Sequence, residues 1–411
     1  MAAGNQAPLA IRAARGKSSQ RRLGRNSDLT VSFGTKVPRR QPVSLLSPQL
    51  RTRTPRITAP VPMKIAQVSP LMEAVPPRFY GGTERIVAYL TDELAALGHD
   101  VILFAAGDSV TKARLEVVWP RALRLDPGMR DYLAPHIVML EMVARRAEEF
   151  DIVHLHVDYL GYPILRRTGV PFVTTLHGRL DLPELQRVYE TFDDVPVVSI
   201  SNAQRGPLPQ ANYIATVQHG IPEQLLAPRL ECGSYLAFLG RISPEKAPDA
   251  AIRIAAKAGM RLKIAAKVDQ VDQQYFVERI EPMLAAPHVE FIGEIDDAQK
   301  AEFLGDAAAL LFPIAWREPF GLAMIEAMAC GTPVIAFRNG SVPEIIDDGI
   351  TGFIVDNEEQ AVGAAKRLHQ LDRARIRRVF EECFTARRMA ENYLDIYRGL
   401  IARNRPLRQV V

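Results

Sequence analysis

Short β-rich apolar runs alternate with amphipathic helical stretches along this chain, in two successive series. That alternation leaves few folds open. The first series has apolar runs at Ile65–Val68, Val101–Phe104, Ile152–Leu155, Phe172–Leu176 and Val197–Ile200, with helical spacing at Thr83–Leu97 and Tyr132–Phe150. The second has runs at Tyr235–Leu239, Leu262–Ala266, Val289–Ile292, Leu310–Phe312, Val334–Phe337 and Phe353–Val355. Helical stretches at Asp249–Ala258, Gln273–Leu284, Ala298–Asp306 and Leu322–Cys330 separate them. Strands alternating with helices imply βαβ units and parallel sheets. The count suits two doubly wound α/β domains. The polar stretch Pro222–Ser234 reads as their boundary, giving domains at 63–228 and 229–384. The tail Arg387–Ile401 carries Met389, Tyr393, Ile396, Tyr397 and Leu400 at helical spacing. It is expected to form a terminal helix within 385–411 that packs back toward the first domain.

The chain's formal charge of +4 is unevenly divided. Residues 1–62 hold twelve Lys and Arg against one acid, Asp28, so the remainder carries a net −7. A mildly acidic globular part gives no reason to expect a nucleic-acid partner. The stretch 1–62 is rich in Arg, Ser, Thr, Pro and Gln and reads as disordered. A targeting peptide is one reading of it. A translation start at Met63 is the favoured one, because the strand IAQVSP follows directly after Lys64. No apolar run approaches the roughly 18–20 residues that cross a bilayer. The scattered Cys232, Cys330 and Cys383 suit a reduced, cytoplasmic protein.

Gly321–Gly331, GLAMIEAMACG, is apolar or glycine except at Glu326. A helix of this composition is expected to be buried, and a carboxylate within it is costly unless it is hydrogen-bonded or faces a ligand cleft. Glu318 lies eight positions earlier, at a strand-to-helix handover. Two such acids at a helix mouth suit the hydroxyls of a ribose or polyol. If they were not ligands, Glu318 would be an exposed loop acid and Glu326 would be paired with a base.

Other features fall where strands end. Gly81-Gly82-Thr83-Glu84 opens the first helix, where backbone can approach a phosphate, or else forms a turn and cap. His177-Gly178 follows Phe172–Leu176, and the histidine could donate to a substrate hydroxyl or simply cap the loop. His154 and His156 are taken to point to opposite faces of a strand, which makes them a poor metal pair. His219-Gly220 closes a later strand and reads as a turn. Gly240-Arg241 ends another strand and Lys246 follows before a helix, so the two cations either hold a diphosphate or are solvated surface charges. Gly340-Ser341 and Pro343-Glu344 read as a junction with free amides. The sequence contains no GxGxxG after the first strand, no P-loop and no metal-spaced Cys/His cluster.

Together these residues resemble the retaining glycosyltransferases of the GT-B fold, family 4. The E-x7-E pattern is Glu318 and Glu326 within EPFGLAMIE, followed by GTPVIA (331–336). GGTE (81–84), LHG (176–178), ISN (200–202), FLGRISPEK (238–246), VEFIGE (289–294), GSVPEII (340–346) and TGF (351–353) follow the family order. The resemblance spans Met63–Leu400 and leaves residues 1–62 untouched. It departs at Ala247, where relatives often carry Gly, and at His219-Gly220-Ile221, where many carry Asn-Gly-Ile.

The resemblance implies two Rossmann-like domains facing a central cleft, with hexosyl transfer from a nucleotide diphosphate sugar and retention of configuration. Arg241 and Lys246 would hold the diphosphate and Glu326 the ribose hydroxyls. Glu318 would hold sugar hydroxyls, and the Phe320, Gly321 and Leu322 amides would sit near phosphate and sugar. Gly82 would approach the distal phosphate, His177 would contact the sugar near the reacting carbon, and residues around Gly293 would frame the base. The catalytic set is then His177, Glu318, Arg241 and Lys246, with no metal and no cofactor. The departing phosphate would deprotonate the acceptor. The Ser69–Tyr80 loop would help to form the acceptor site. Family frequency favours a UDP-sugar over a GDP-sugar. The acceptor is left as a lipid, a polysaccharide or a small molecule, with peripheral contact at the inner membrane face and the oligomeric state both open. A sugar-nucleotide epimerase and a catalytically silent nucleotide-sugar binder are the alternatives.

Overall fold

The computed structural model describes residues 61–78 and 81–404. The expectations for the basic stretch therefore lie outside the described residues, apart from Val61 and Pro62, as does the end of the 385–411 tail.

Two wholly parallel sheets carry the fold. The first contains β1 (Lys64–Val68), β2 (Asp100–Ala106), β3 (Arg114–Trp119), β4 (Ile152–Leu155), β5 (Phe172–Thr175), β6 (Val197–Ser199) and β7 (Tyr213–Thr216), in the order β3-β2-β1-β4-β5-β6-β7. The second contains β8 (Tyr235–Arg241), β9 (Leu262–Lys267), β10 (Val289–Gly293), β11 (Ala307–Phe312), β12 (Val334–Phe337) and β13 (Gly352–Val355), in the order β10-β9-β8-β11-β12-β13. The winding direction reverses between β1 and β4, and again between β8 and β11. Connections leave in opposite directions at such a point, which opens a crevice beyond the carboxyl ends of the strands. The expected strands are present with small shifts at their ends. β3 was not foreseen, because it is a half-buried edge strand with a charged residue at its centre, Glu116.

The helix Gly82–Ala96 follows from Ile86, Val87, Leu90 and Leu94, which are buried at helical spacing. Gly98 stops it in a left-handed conformation, with the His99 N–H returning to the Leu94 carbonyl at 3.2 Å. The expected helix over Gln273–Leu284 is interrupted by a π turn at Phe276–Ile280. Pro282 has no N–H to offer the carbonyl one turn back, so the helix widens there. The last helix, Ala386–Asn404, packs on Gly82–Ala96 and reaches β4, burying Met389, Tyr393 and Tyr397. Each large side chain so buried contributes about 1.5–3 kcal/mol. No helix among the described residues is long and apolar enough to cross a membrane.

Candidate functional site

The two reversal points face one cleft of about 700 Å³, within the range for small-molecule sites. Gly82, Glu84, Arg85, Arg124 and His177 line it from the first half. Arg241, Lys246, Lys300, Glu318, Phe320, Gly321, Leu322 and Glu326 line it from the second. Of the sequence candidates, Gly293 alone is not a lining residue. It turns with a φ of +76°, and its neighbours Glu294 and Ile295 reach the cleft instead. Gly82 stands opposite Leu322, where an added Cβ would lie 3.6 Å from Leu322 Cδ1. Pro70 and Met72 of the Ser69–Tyr80 loop also line the cleft; Phe79 and Tyr80 lie outside the described residues.

Glu326 sits in the helix Leu322–Ala329. That helix starts at Gly321 (φ +84°), where a Cβ would press to 2.7 Å from Met324 and 3.0 Å from Phe312. The carboxylate is 4% exposed and accepts from Lys300 Nζ at 2.7 Å. A buried acid paired with an unseen base was one of the open readings, and Lys300 is that base. It lies on the helix Asp297–Gly305, whose first turn is fixed by a capping box between Asp296 and Gln299. Lys300 Nζ also lies 3.2 Å from Asp297, and Asp297 pairs with Arg85 of the first half. A line of charges, Arg85–Asp297–Lys300–Glu326, therefore crosses between the halves.

Glu318 is buried rather than an exposed loop acid. Its Oε2 accepts from Lys246 Nζ at 2.6 Å and from Trp316 Nε1 at 2.9 Å. The loop that carries it is clamped from behind by residues 339–341. Ser341 N donates to the Glu318 carbonyl at 3.0 Å, and Ser341 Oγ donates to the Phe320 carbonyl at 2.7 Å. A Cβ at Gly340 would stand 2.2 Å from the Glu318 carbonyl oxygen, so only glycine lets the two backbones approach. Of the amides expected to be free here, those of Ser341 and Glu344 are occupied. The Glu344 carboxylate meanwhile accepts from Asn202 N and Ala203 N, each at 2.7 Å, tying the two halves together.

Arg241 lies at the end of β8. Its Nε is 3.1 Å from Asp272 Oδ2, a contact too far off line for a hydrogen bond, and its Nη2 is 3.9 Å from Glu245. Lys246 follows, and Ala247 (φ +50°) turns the chain into the helix Pro248–Ala258. Both cations thus lie against carboxylates at the cleft wall.

Several residues carry more than their sequence context suggested. His154 and His156 do not point to opposite faces, since residues two apart in a strand share a face. Their ring centroids lie 4.1 Å apart. Among the described residues no cluster of three or more His, Cys, Asp or Glu could hold a metal. His219 is not a simple turn residue. It is buried in the cleft wall, stacked on His177 at 5.2 Å and packed against Phe320 at 4.9 Å. Burial pushes His177 down to about 3, so its ring is neutral at ordinary pH. Glu84, quoted in GGTE but given no role, is 6% exposed, and burial raises its carboxyl above the usual range. Lys300, Arg85 and Arg124 were not singled out. A lone lysine or arginine in a polar helix or loop gives no sequence signal for what it will touch.

Comparison with known proteins bears on this geometry. Residues 80–223 match the family model described as Glycosyltransferase Family 4, and residues 231–379 match that described as Glycosyl transferases group 1. The D-inositol 3-phosphate glycosyltransferase of Acidothermus cellulolyticus is 26% identical over 357 residues, covering 70% of this chain and 78% of that protein. Among solved structures, the chain is similar to AviGT4, a glycosyltransferase involved in avilamycin A biosynthesis. That match has a TM-score of 0.62 and 24% identity, over 83% of this chain and 98% of that one. It is also similar to HepE of Anabaena in complex with UDP and glucose, with a TM-score of 0.65 and 16% identity over 82% and 100%. Two parallel α/β domains are the fold this chain shares with these structures. The chain belongs to the family 4 glycosyltransferases of the GT-B fold and is a glycosyltransferase that uses a nucleotide-sugar donor.

Proposed function

We propose that the protein transfers a hexosyl group from a nucleotide diphosphate sugar, a UDP-sugar in preference to a GDP-sugar, to an acceptor hydroxyl with retention of configuration. The observation that carries this reading is the convergence of Glu318, Glu326, Arg241 and Lys246 on one wall, opposite Gly82 and His177. Arg241 and Lys246 neutralise the charge that grows on the leaving diphosphate. Glu326, oriented by Lys300, accepts from the ribose hydroxyls. Glu318, held by Lys246 and Trp316, accepts from hydroxyls of the sugar. The Phe320–Leu322 amides open the helix toward the phosphate. Residues 63–228 supply the acceptor side and 229–384 the donor side.

The acceptor is tested first as a phosphorylated polyol. The relatives found are named for D-inositol 3-phosphate, and Arg124 lines the acceptor side, paired to Glu73 at 2.7 Å. Incubation with UDP-, GDP- and ADP-hexoses and a panel of polyol phosphates, lipids and oligosaccharides should release nucleoside diphosphate together with a glycosylated product of retained anomeric configuration. An inverted product refutes retention. Sugar interconversion with donor alone favours the epimerase, and donor binding without turnover across the panel favours a silent binder.

A further inference from the structure

The face of the first sheet covered by the helix Ala386–Asn404 is polar along its centre. Gln67 on β1 and His154 on β4 are partners in register, and both are fully buried. Thr175 on β5 joins them, and Tyr393 and Tyr397 reach down from the helix. Amides, imidazoles and hydroxyls are costly to bury unpaired, and these groups bond to one another. Thr175 Oγ1 is 2.7 Å from Tyr393 OH and 2.7 Å from His154 Nε2, and His154 Nδ1 is 2.7 Å from Tyr397 OH. Gln67 Nε2 donates to Tyr397 OH at 3.1 Å. Gln67 Oε1 lies 2.8 Å from His156 Nε2, and His156 Nδ1 lies 2.8 Å from His177 Nε2.

These contacts have a direction. The Gln67 amide is placed with Oε1 on His156 and Nε2 on Tyr397; an amide oxygen can only accept, so in this orientation His156 carries its proton on Nε2. Burial keeps that ring neutral, which leaves Nδ1 bare to accept from His177 Nε2–H. His177 is neutral as well, so its Nδ1 is also bare. Among these bonded side chains, His177 Nδ1 is the ring nitrogen left without a partner, and that atom is itself buried, while the rest of the His177 ring lines the cleft. The buried line therefore ends at the site.

We propose that Gln67, His156 and Tyr397 are positioning residues for glycosyl transfer. They hold His177 as its Nε2–H tautomer, which spends its one ring N–H on His156, leaves none to donate to the bound sugar and fixes the ring in the cleft wall. The proposal rests on the reading of the cleft as a nucleotide-sugar site. It withdraws the donor role that was one of the sequence readings of His177, and it gives the C-terminal helix a part in the chemistry, through Tyr397.

The test reads the ring nitrogens. Full-length protein labelled with ¹⁵N-histidine is recorded at pH 7, and His177 is assigned by comparison with His177→Gln. The wild type is expected to show His177 protonated at Nε2 and bare at Nδ1. Tyr397→Phe keeps the ring and removes only an oxygen outside the cleft lining. The Gln67 amide then loses its acceptor and is free to turn over. His177 is expected to show mixed tautomers and kcat to fall about tenfold, with the donor KM within about twofold. A wild-type His177 protonated at Nδ1, or at both nitrogens, overturns the proposal without any variant. So does a folded Tyr397→Phe protein with an unchanged tautomer, or one with mixed tautomers and unchanged kcat. A wild type that shows the expected tautomer yet transfers no sugar overturns the role in transfer and the reading of the cleft together, while the tautomer assignment stands.

Discussion

Lys300 Nζ donates to Glu326 Oε1 at 2.7 Å, across two helices, with side-chain exposures of only 11% and 6%. Removing one partner of such a pair leaves a charge with no compensation in a poorly solvated place. Lys300→Met is therefore expected to destabilise the fold by about 3 kcal/mol and to raise the donor KM. Denaturant unfolding and steady-state kinetics check both. Stability within about 0.5 kcal/mol of wild type would mean that the pair does not hold Glu326.

In the proposed reading, Glu318 acts on the sugar rather than on the nucleotide. Its carboxylate already occupies Lys246 and Trp316, so Glu318→Ala frees a cation for the diphosphate. UDP affinity should stay within about threefold of wild type, while kcat should fall at least about a hundredfold. Calorimetry with UDP and a turnover assay separate the two. A large loss of UDP binding with kcat retained would reverse the assignment.

Ala247 stands in the left-handed region at φ +50°, where a Cβ is crowded by its own backbone. Ala247→Gly relieves that strain against a greater loss of chain entropy. The net expectation is a gain of about 0.5–1 kcal/mol, read as a raised Tm with unchanged UDP affinity. A lowered Tm would contradict it.

Burial holds His154, His156, His177 and His219 below the ordinary histidine range, His177 at about 3. Above pH 7 these rings are neutral both folded and unfolded, so they contribute no pH dependence there. As the pH falls through about 6.5, the unfolded chain takes up protons that the native rings refuse, so stability drops. Each ring that stays neutral removes about 2 kcal/mol between pH 7 and pH 5. Urea unfolding at the two pH values measures the sum. A flat profile across this window would show that the rings are charged in the folded state.

Much of the fold was legible in sequence because buried parallel strands and their helices leave periodic apolar runs. The edge strand β3 was not, since its exposed positions interrupt the run. Glu318 and Glu326 were legible because an acid in an apolar segment needs a reason. Lys300 and Arg85 were not, because a cation in a mixed helix looks the same whether solvated or paired. The tyrosines of the last helix stood out in sequence by their helical spacing, and both are buried. Their hydroxyls bond to side chains more than two hundred positions away, which no local pattern encodes. His219 was read from its glycine neighbour as a turn. In fact Gly220 lets Thr385 pass, with only 2.2 Å between a Cβ there and the Thr385 carbonyl oxygen, and the histidine is left in the cleft wall.

In the proposed reading, Arg241 and Lys246 act on the diphosphate and on nothing else of the donor. Calorimetric titration of UDP and of uridine into wild type, Arg241→Ala and Lys246→Ala tests it most directly, with GDP and ADP and their nucleosides run alongside. Each substitution is predicted to weaken the diphosphate at least about tenfold while leaving the nucleoside unchanged. Equal weakening of both ligands, or of neither, would show that the two cations do not hold the diphosphate.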